Sequence, residues 1–352
     1  METMPDAVAW LAGLSPWPED GFGLERMNAL LAALEDPQER YPAVHVVGTN
    51  GKSTATVTIE QLLLTEGLSV GSTISPHVRS WDERVRLGGH PVDLAAALRR
   101  VRPAAEQVGA TQFETITAAA LTAFADAAVD LAVVEAGLGG RHDATNVLCS
   151  RVVLLTNVGL EHTDVLGDTV EAIAAEKLAV VHTDDTVVIL PDDTLAPFVP
   201  RGRIVHGGAR EAAEALVGHP IEALVEVVLP GRLERRPGEI RDGAHNPDGV
   251  VWLCERLPTA DYTVCASMLA DKDVDEMLRR LSSIGARFVA TASSNARSLP
   301  SAVLADRARR HFAVVEEVAD PTAAVRRAHA LGEPVLVTGS LYLLADLESA
   351  EA

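Results

Sequence analysis

Residues 43–67, AVHVVGTNGKSTATVTIEQLLLTEG, read as a strand, a glycine turn and a helix. Val44, Val46 and Val47 suit a buried strand. Gly48-Thr49-Asn50-Gly51-Lys52-Ser53-Thr54 then lacks a Cβ at two points, so backbone N–H groups can close around a phosphate. The helix that starts near Ser53 aims the positive end of its dipole at the same spot. Lys52 adds a mobile cation, and Ser53 and Thr54 add hydroxyls. There is one departure from a strict P-loop, whose first glycine lies five positions before the second: this chain has Val46 there. A glycine-rich turn opening an ordinary helix is the plain alternative.

Bulk properties bound what such a cradle serves. At 352 residues the chain exceeds one usual core, so two domains are expected. No uninterrupted apolar run is long enough to cross a bilayer. The first residues carry acids and no basic n-region, unlike a signal peptide. Cys149, Cys254 and Cys265 are far apart without metal or disulfide spacing, which fits reduced thiols in the cytoplasm. A net charge of −20 argues against nucleic acid and anionic membrane as partners. Any site for anionic substrates must then gather its cations locally, and Lys52, Arg141 and Arg232 are candidates.

Taken in order, the chain alternates strands and helices. FGLERMNALLAAL, residues 22–34, has helical apolar spacing. A short strand in LSVGSTISP ends at Ser75, whose hydroxyl, beside a phosphate loop, can ligate Mg²⁺ or can be a plain turn residue. Val92–Val108 is helical, and Thr111-Gln112-Phe113-Glu114 leads into an Ala-rich helix. DLAVVE, residues 130–135, is a core strand ending in Glu135, either a Mg²⁺ ligand or a solvated strand-end acid. After a strand at Val152–Thr156, His162 sits in a loop, where a lone histidine is usually structural. Asp168 is expected to cap the next helix, with Glu171 completing a capping box. Lys177, late in that helix, reads by spacing as a solvated cation complementing the dipole. Thr186–Leu190 is expected to close the first sheet, and the Pro- and Gly-rich stretch that follows reads as a linker. The remainder reads as a second open α/β sheet.

GTNGKST behind a valine-rich strand resembles the ATP loop of the Mur ligase superfamily, which forms amide bonds through acyl phosphates. FGLERM, SPHVRSWDERV, TQFE, GLGGRHDATN, GLEHTDVLGDT, AAEKLAV, PGRLE, DGAHNP, SMLADKD and TGSLY narrow the resemblance to its folylpolyglutamate and dihydrofolate synthases, over nearly the whole chain. The resemblance implies the following roles. Thr49, Asn50, Gly51, Lys52, Ser53, Thr54, Arg232, Asp242 and Ser340 contact ATP. Ser75, Glu135 and His162 hold one Mg²⁺, and a carbamylated Lys177 helps hold a second. His245 serves the phosphate or glutamate side. Arg84, Thr111, Gln112, Phe113, Glu114, His142, Asp143 and Ala144 border the pteroate site. Two departures stand out: His142 replaces the usual leucine, and the linker is short, with no match for the helix whose asparagine contacts the ATP base.

The expected fold is α/β: a P-loop Mur-type central domain over residues 1–200, a shortened linker over 201–235, and a smaller Rossmann-like C-terminal domain over 236–352. The implied reaction joins L-glutamate to dihydropteroate or a reduced folate at the expense of ATP, with Lys52, His162, Lys177 and His245 in the catalytic set. A cytoplasmic monomer acting on small molecules is expected. Two other readings stay open: a Mur-type ligase with a different acyl substrate, and a nucleotide-binding homologue without ligase activity.

Overall fold

The computed structural model describes residues 4–18 and 21–351. The chain divides into a unit ending at Val227 and one beginning at Val228. In the first, eight strands form one sheet: β1 Ala43–Val47, β2 Val70–Thr73, β3 Val85–Leu87, β4 His90–Pro91, β5 Leu131–Glu135, β6 Val152–Leu155, β7 Val187–Leu190 and β8 Arg203–His206. Their order is β4-β3-β2-β5-β1-β6-β7-β8. β1 lies between β5 and β6, parallel to both. The β3–β4 hairpin adds an antiparallel edge. Every residue of β1, β5 and β6 is buried, as their near-continuous runs of apolar residues require of strands covered on both faces. Val44 and Val46 pack with Ile59, Leu62 and Leu63 of the helix Lys52–Thr65. Val47 packs on the other face with Ala174 and Leu178 of the helix Val170–Leu178. The chain leaves β1 towards β2 through one helix and enters β6 on β1's other side. The ends of β1, β5 and β6 therefore open a crevice at their carboxyl edge, where ligands bind in open α/β sheets.

In the second unit six strands, β9 Glu234–Arg236, β10 Glu239–Arg241, β11 Thr263–Ala266, β12 Arg287–Ala290, β13 Val314–Glu317 and β14 Val335–Thr338, order as β13-β12-β11-β14-β10-β9. All neighbours are parallel except β9–β10. This is the second α/β sheet expected from the alternation of strands and helices. Among the described residues no helix is long and apolar enough to cross a membrane.

The structure corrects three local expectations. Residues 201–227 are not a linker. Arg203–His206 extends the first sheet as β8, in register Val187↔Arg203 to Leu190↔His206. The helix Ala209–Val217 then buries Ala212 and Ala213 against the core beside the helix Lys52–Thr65. β7 thus does not close the sheet. An edge strand needs little apolar burial, and Ile204 remains exposed, so periodicity hid it. The second correction is the cap of the helix Val170–Leu178. It is Thr169, whose Oγ1 accepts from Ala172 N at 3.1 Å, and Asp168 lies outside the helix. Third, Thr111-Gln112-Phe113-Glu114 is already the start of the helix it was expected to lead into. Thr111 caps the helix Gln112–Asp126, and Glu114 is in its first turn.

One buried ion pair anchors the segment that follows Ser75. Glu60, fully buried on the helix Lys52–Thr65, accepts from Arg86 Nε of β3 at 3.1 Å and from Ser72 Oγ of β2 at 2.7 Å. Arg86→Leu leaves that carboxylate buried without its cation and is expected to lower the free energy of unfolding by about 3 kcal/mol in urea titrations. A change below about 0.5 kcal/mol would contradict this anchoring role.

Candidate functional site

At the end of β1 the chain turns through Gly48 (φ +147°), and a Cβ there would lie 1.9 Å from Thr156 Oγ1. The close approach lets the segment after β6 clasp the loop. Thr49 N donates to Asn157 O (3.0 Å), Asn50 N to Asn157 Oδ1 (2.9 Å), and Asn157 Nδ2 and Thr156 Oγ1 both donate to Asn50 O (3.1 and 2.7 Å). Thr49 Oγ1 accepts from Gly159 N at 3.0 Å. Gly51 (φ +81°) faces open space at the first turn of the helix Lys52–Thr65. The first N–H groups of that helix have no partner within it, the geometry of an anion cradle.

Two lysines converge on one oxygen. Lys52 Nζ donates to Gly48 O at 2.9 Å and to Thr49 O at 3.2 Å. Lys177 Nζ donates to the same Gly48 O at 2.9 Å and to Glu161 Oε1 at 3.1 Å. Lys177 is 1% exposed, so it is not the solvated helix-end cation that spacing alone suggests. Burial pushes its amine down to about 8, against the opposing pull of Glu161. For Glu161, burial acts to raise the carboxyl, but Lys177 and Lys52 outweigh it and hold the group below the usual carboxylate range.

Glu135, at the end of β5, is 3% exposed. Its Oε1 accepts from Ser53 Oγ at 3.1 Å and its Oε2 from Ser75 N at 2.9 Å, while Ser53 Oγ lies 3.5 Å from Ser75 O. A carboxylate, a hydroxyl and a carbonyl are thus gathered at the mouth of the cradle, a hard-oxygen set of the kind that suits Mg²⁺. His162 (φ +47°) caps the short helix Thr163–Leu166 beside Glu161. No group of three or more His, Cys, Asp or Glu with metal-holding geometry occurs among the described residues.

The residues expected to border an acyl substrate are largely committed within the fold. Glu114 Oε2 accepts from Thr111 N (2.7 Å) and from Arg26 Nε (2.8 Å), which ties the FGLERM helix to this one. Gln112 holds Leu11 O through Nε2 and Ser15 O through its backbone N. Phe113 lies over Gly137, where a Cβ would come within 2.6 Å of its ring. Arg84 Nε donates to His77 Nδ1 at 2.8 Å and stacks on Trp81. Burial lowers His77 to about 4. His142 is exposed, whereas Asp143 and Ala144 are buried. Asp143 accepts from Leu138 N (2.7 Å), Thr145 N (3.0 Å) and Thr145 Oγ1, and burial raises its carboxyl. In the second unit, Asp242 Oδ2 accepts from Leu233 N (2.8 Å) and Oδ1 from Ala244 N (2.9 Å) beside Arg232, with its carboxyl raised by burial. His245 Nδ1 pairs with Gly243 O (2.8 Å), and Ser340 Oγ accepts from Tyr342 N (3.1 Å) one residue after Gly339, whose N donates to Ala244 O (3.0 Å).

Sequence reasoning missed Glu161, Asn157 and the buried pair His45–Thr145. Glu161 had a signal, an acid next to His162. Asn157 and His45 had none, because their partners lie roughly a hundred residues away in the chain.

Residues 46–206 match the family model of the Mur ligase middle domain, and residues 231–341 that of the Mur ligase glutamate ligase domain. The dihydrofolate synthase/folylpolyglutamate synthase of Mycobacterium tuberculosis is 30% identical, over 88% of this chain and 83% of its own. The fold is similar to that of Mycobacterium tuberculosis folylpolyglutamate synthase complexed with ADP and AMPPCP (TM-score 0.87, 26% identity, 98% and 99% of the two chains). It is similar also to a bifunctional folylpolyglutamate synthase/dihydrofolate synthase with Mn, AMPPNP and L-glutamate bound (TM-score 0.84, 27% identity, 98% of each chain).

His45 supplies a pH test of the site's framework. Burial lowers its ring to about 3, against about 6.5 when unfolded. The unfolded chain therefore takes up the proton first, and this contribution to stability falls as pH drops below about 6.5. By pH 5 the loss is about 2 kcal/mol from this group alone. His45→Gln is expected to reduce the drop in stability between pH 7.5 and pH 5 by that amount in paired urea titrations. An unchanged pH slope would refute a neutral, buried His45.

Proposed function

Because the chain belongs to the Mur ligase family, among its folylpolyglutamate and dihydrofolate synthases, we propose that it is an ATP-dependent amide ligase that adds L-glutamate to a folate. The observation that carries this reading is the clasped loop 48–54, an anion cradle with two lysines on its first carbonyl and a hard-oxygen cluster at its mouth. The acceptor's carboxylate attacks the γ-phosphorus of ATP, the bond to the β–γ bridging oxygen breaks, and an acyl phosphate and ADP result. The glutamate amine then attacks the acyl carbon, inorganic phosphate leaves, and the amine gives up a proton. This chain's task is charge neutralisation and alignment. Lys52 and the N–H groups of residues 51–54 hold the β- and γ-phosphates, on the loop that Thr49 and Asn50 keep clasped. Arg232, Asp242 and Ser340 are proposed to contact the nucleotide, and His245 to orient the phosphate or the incoming glutamate.

Glu135 and the Ser53–Ser75 oxygens fit a divalent cation, with His162 as a further ligand. Bound there, Mg²⁺ would neutralise phosphate charge. Lys177 is proposed to become a carbamate that serves a second ion. Its burial favours the neutral amine that reacts with CO₂, and conversion to an anion with two oxygens suits a cation where an ammonium would repel one. Arg84, Phe113 and His142 are proposed to border the pterin ring, with Ala144 behind them. Thr111, Gln112, Glu114 and Asp143 hold that border in place through the bonds described above. We propose two functional domains, a monomer and a cytoplasmic location.

Phosphate release from ATP plus glutamate, with dihydropteroate and tetrahydrofolate offered separately, tests the reaction. Acceptance of both is expected, and release with neither would defeat the reading. Lys52→Ala is expected to lower kcat/KM by ~10²-fold or more with the fold intact. Near wild-type activity would remove Lys52 from the cradle. Stripping CO₂ and bicarbonate is expected to reduce activity reversibly, and a short carboxylic acid is expected to restore part of the activity lost in Lys177→Ala. A CO₂-independent enzyme would rule out the carbamate.

A further inference from the structure

β1 carries one polar side chain in an otherwise all-apolar run. His45, fully buried, points to the face opposite Val44 and Val46, where the turn of residues 137–146 covers the sheet. Its Nε2 lies 2.7 Å from Thr145 Oγ1, and Thr145 Oγ1 in turn contacts Asp143 Oδ1. The protons along this chain can be assigned. Both Asp143 oxygens accept backbone N–H groups, Oδ2 from Leu138 and Oδ1 from Thr145, and these bonds favour the ionised, acceptor-only carboxylate against the opposing effect of burial. With the carboxylate ionised, Thr145 gives Asp143 its single proton. Its lone pair then accepts from His45, whose proton is on Nε2. His45 Nδ1 is left as an acceptor, and it has no partner. A buried orphan acceptor is costly, and valine or leucine would pack in this strand without it. Burial keeps the ring neutral, so the chain of donors persists across the working pH range.

Asp143 is what the chain of donors holds. By accepting from residues 138 and 145 it pinches the turn closed and leaves Arg141 and His142 at an exposed apex. His45 lies three residues before Gly48, on the strand that delivers the phosphate loop. We propose that His45 and Thr145 are positioning residues that fix the turn 137–146, and with it the acceptor side of the site, in register with the phosphate cradle. The inference rests on the folate-ligase reading for its kinetic test, and on the hydrogen-bond chain alone for its spectroscopic test.

The kinetic test uses His45→Leu, Thr145→Val and the double variant. The single variants are expected to raise KM for the folate acceptor roughly tenfold while KM for ATP stays within about twofold. The double variant is expected to match the singles, because one chain of bonds is broken either way. His45→Gln keeps an N–H donor at the same reach and is expected to restore the acceptor KM to within about threefold of wild type. Equal rises in both KM values, or multiplicative single effects, would overturn the proposal. Where His45→Leu fails to fold, Thr145→Val and Thr145→Ser carry the same comparison. Independently of activity, ¹⁵N-histidine NMR of the wild-type chain is expected to show His45 neutral and protonated on Nε2 from pH 5 to pH 8, with its Nε2 resonance displaced in Thr145→Val. A ring protonated on Nδ1, or unaffected by Thr145→Val, would overturn it even if no folate proved to be a substrate.

Discussion

Two ammonium groups meet on the carbonyl of Gly48, and much of the first unit is arranged to let them. Like charges this close repel, so the pair needs a carboxylate and a scaffold that cannot relax. Glu161 supplies the first, at 3.1 Å from Lys177. The clasp between residues 49–50 and 156–159 supplies the second. A chain with a net charge of −20 thereby brings two cations together at the start of the glycine turn. Burial strengthens each of these interactions by excluding water, and it also draws the Lys177 amine down towards neutrality.

Five buried acids follow a common rule. Glu60, Glu114, Glu135, Asp143 and Asp242 are all buried, and each has its oxygens occupied by specific donors: arginine for Glu60 and Glu114, serine for Glu135, backbone N–H groups for Asp143 and Asp242. A buried carboxylate without such donors would protonate or unfold its surroundings. Meeting that requirement couples elements distant in sequence. Arg26 links the helix Glu25–Ala33 to the helix after Thr111. Arg86 links β3 to the helix that follows the cradle. Asp143 closes the turn over β1. The polar atoms of these acids are thereby committed to partners within the fold.

How legible this was depended on the range of the interaction. The cradle was readable because glycine, lysine and hydroxyl residues in one short run act on their own neighbours. That the strand DLAVVE ends in an acid was readable too, because the apolar run stops at Glu135, but its burial was not, since a solvated strand-end acid fitted the sequence equally well. Thr111 and Glu114 were read as substrate contacts, although the T-x-x-E spacing is itself a capping-box signature, and the structure shows the box. Thr169 rather than Asp168 caps the next helix, a choice between adjacent residues that both have capping oxygens. β8 was unreadable because Arg203–His206 gains its strand identity only by pairing with β7.

By itself, the sequence determined the two α/β sheets, the strand-turn-helix that makes the anion cradle, and a motif order shared with one ligase family. These follow from backbone propensity, glycine placement and residue spacing, which act within a few residues. Only the tertiary structure decided that Lys177 is buried rather than solvated, that Glu161 is its partner, and that His45 supports a turn a hundred residues away. Each of those facts depends on which side chains are excluded from water together, and exclusion from water is a property of the packed sheet and its covering helices, not of any local run of residues.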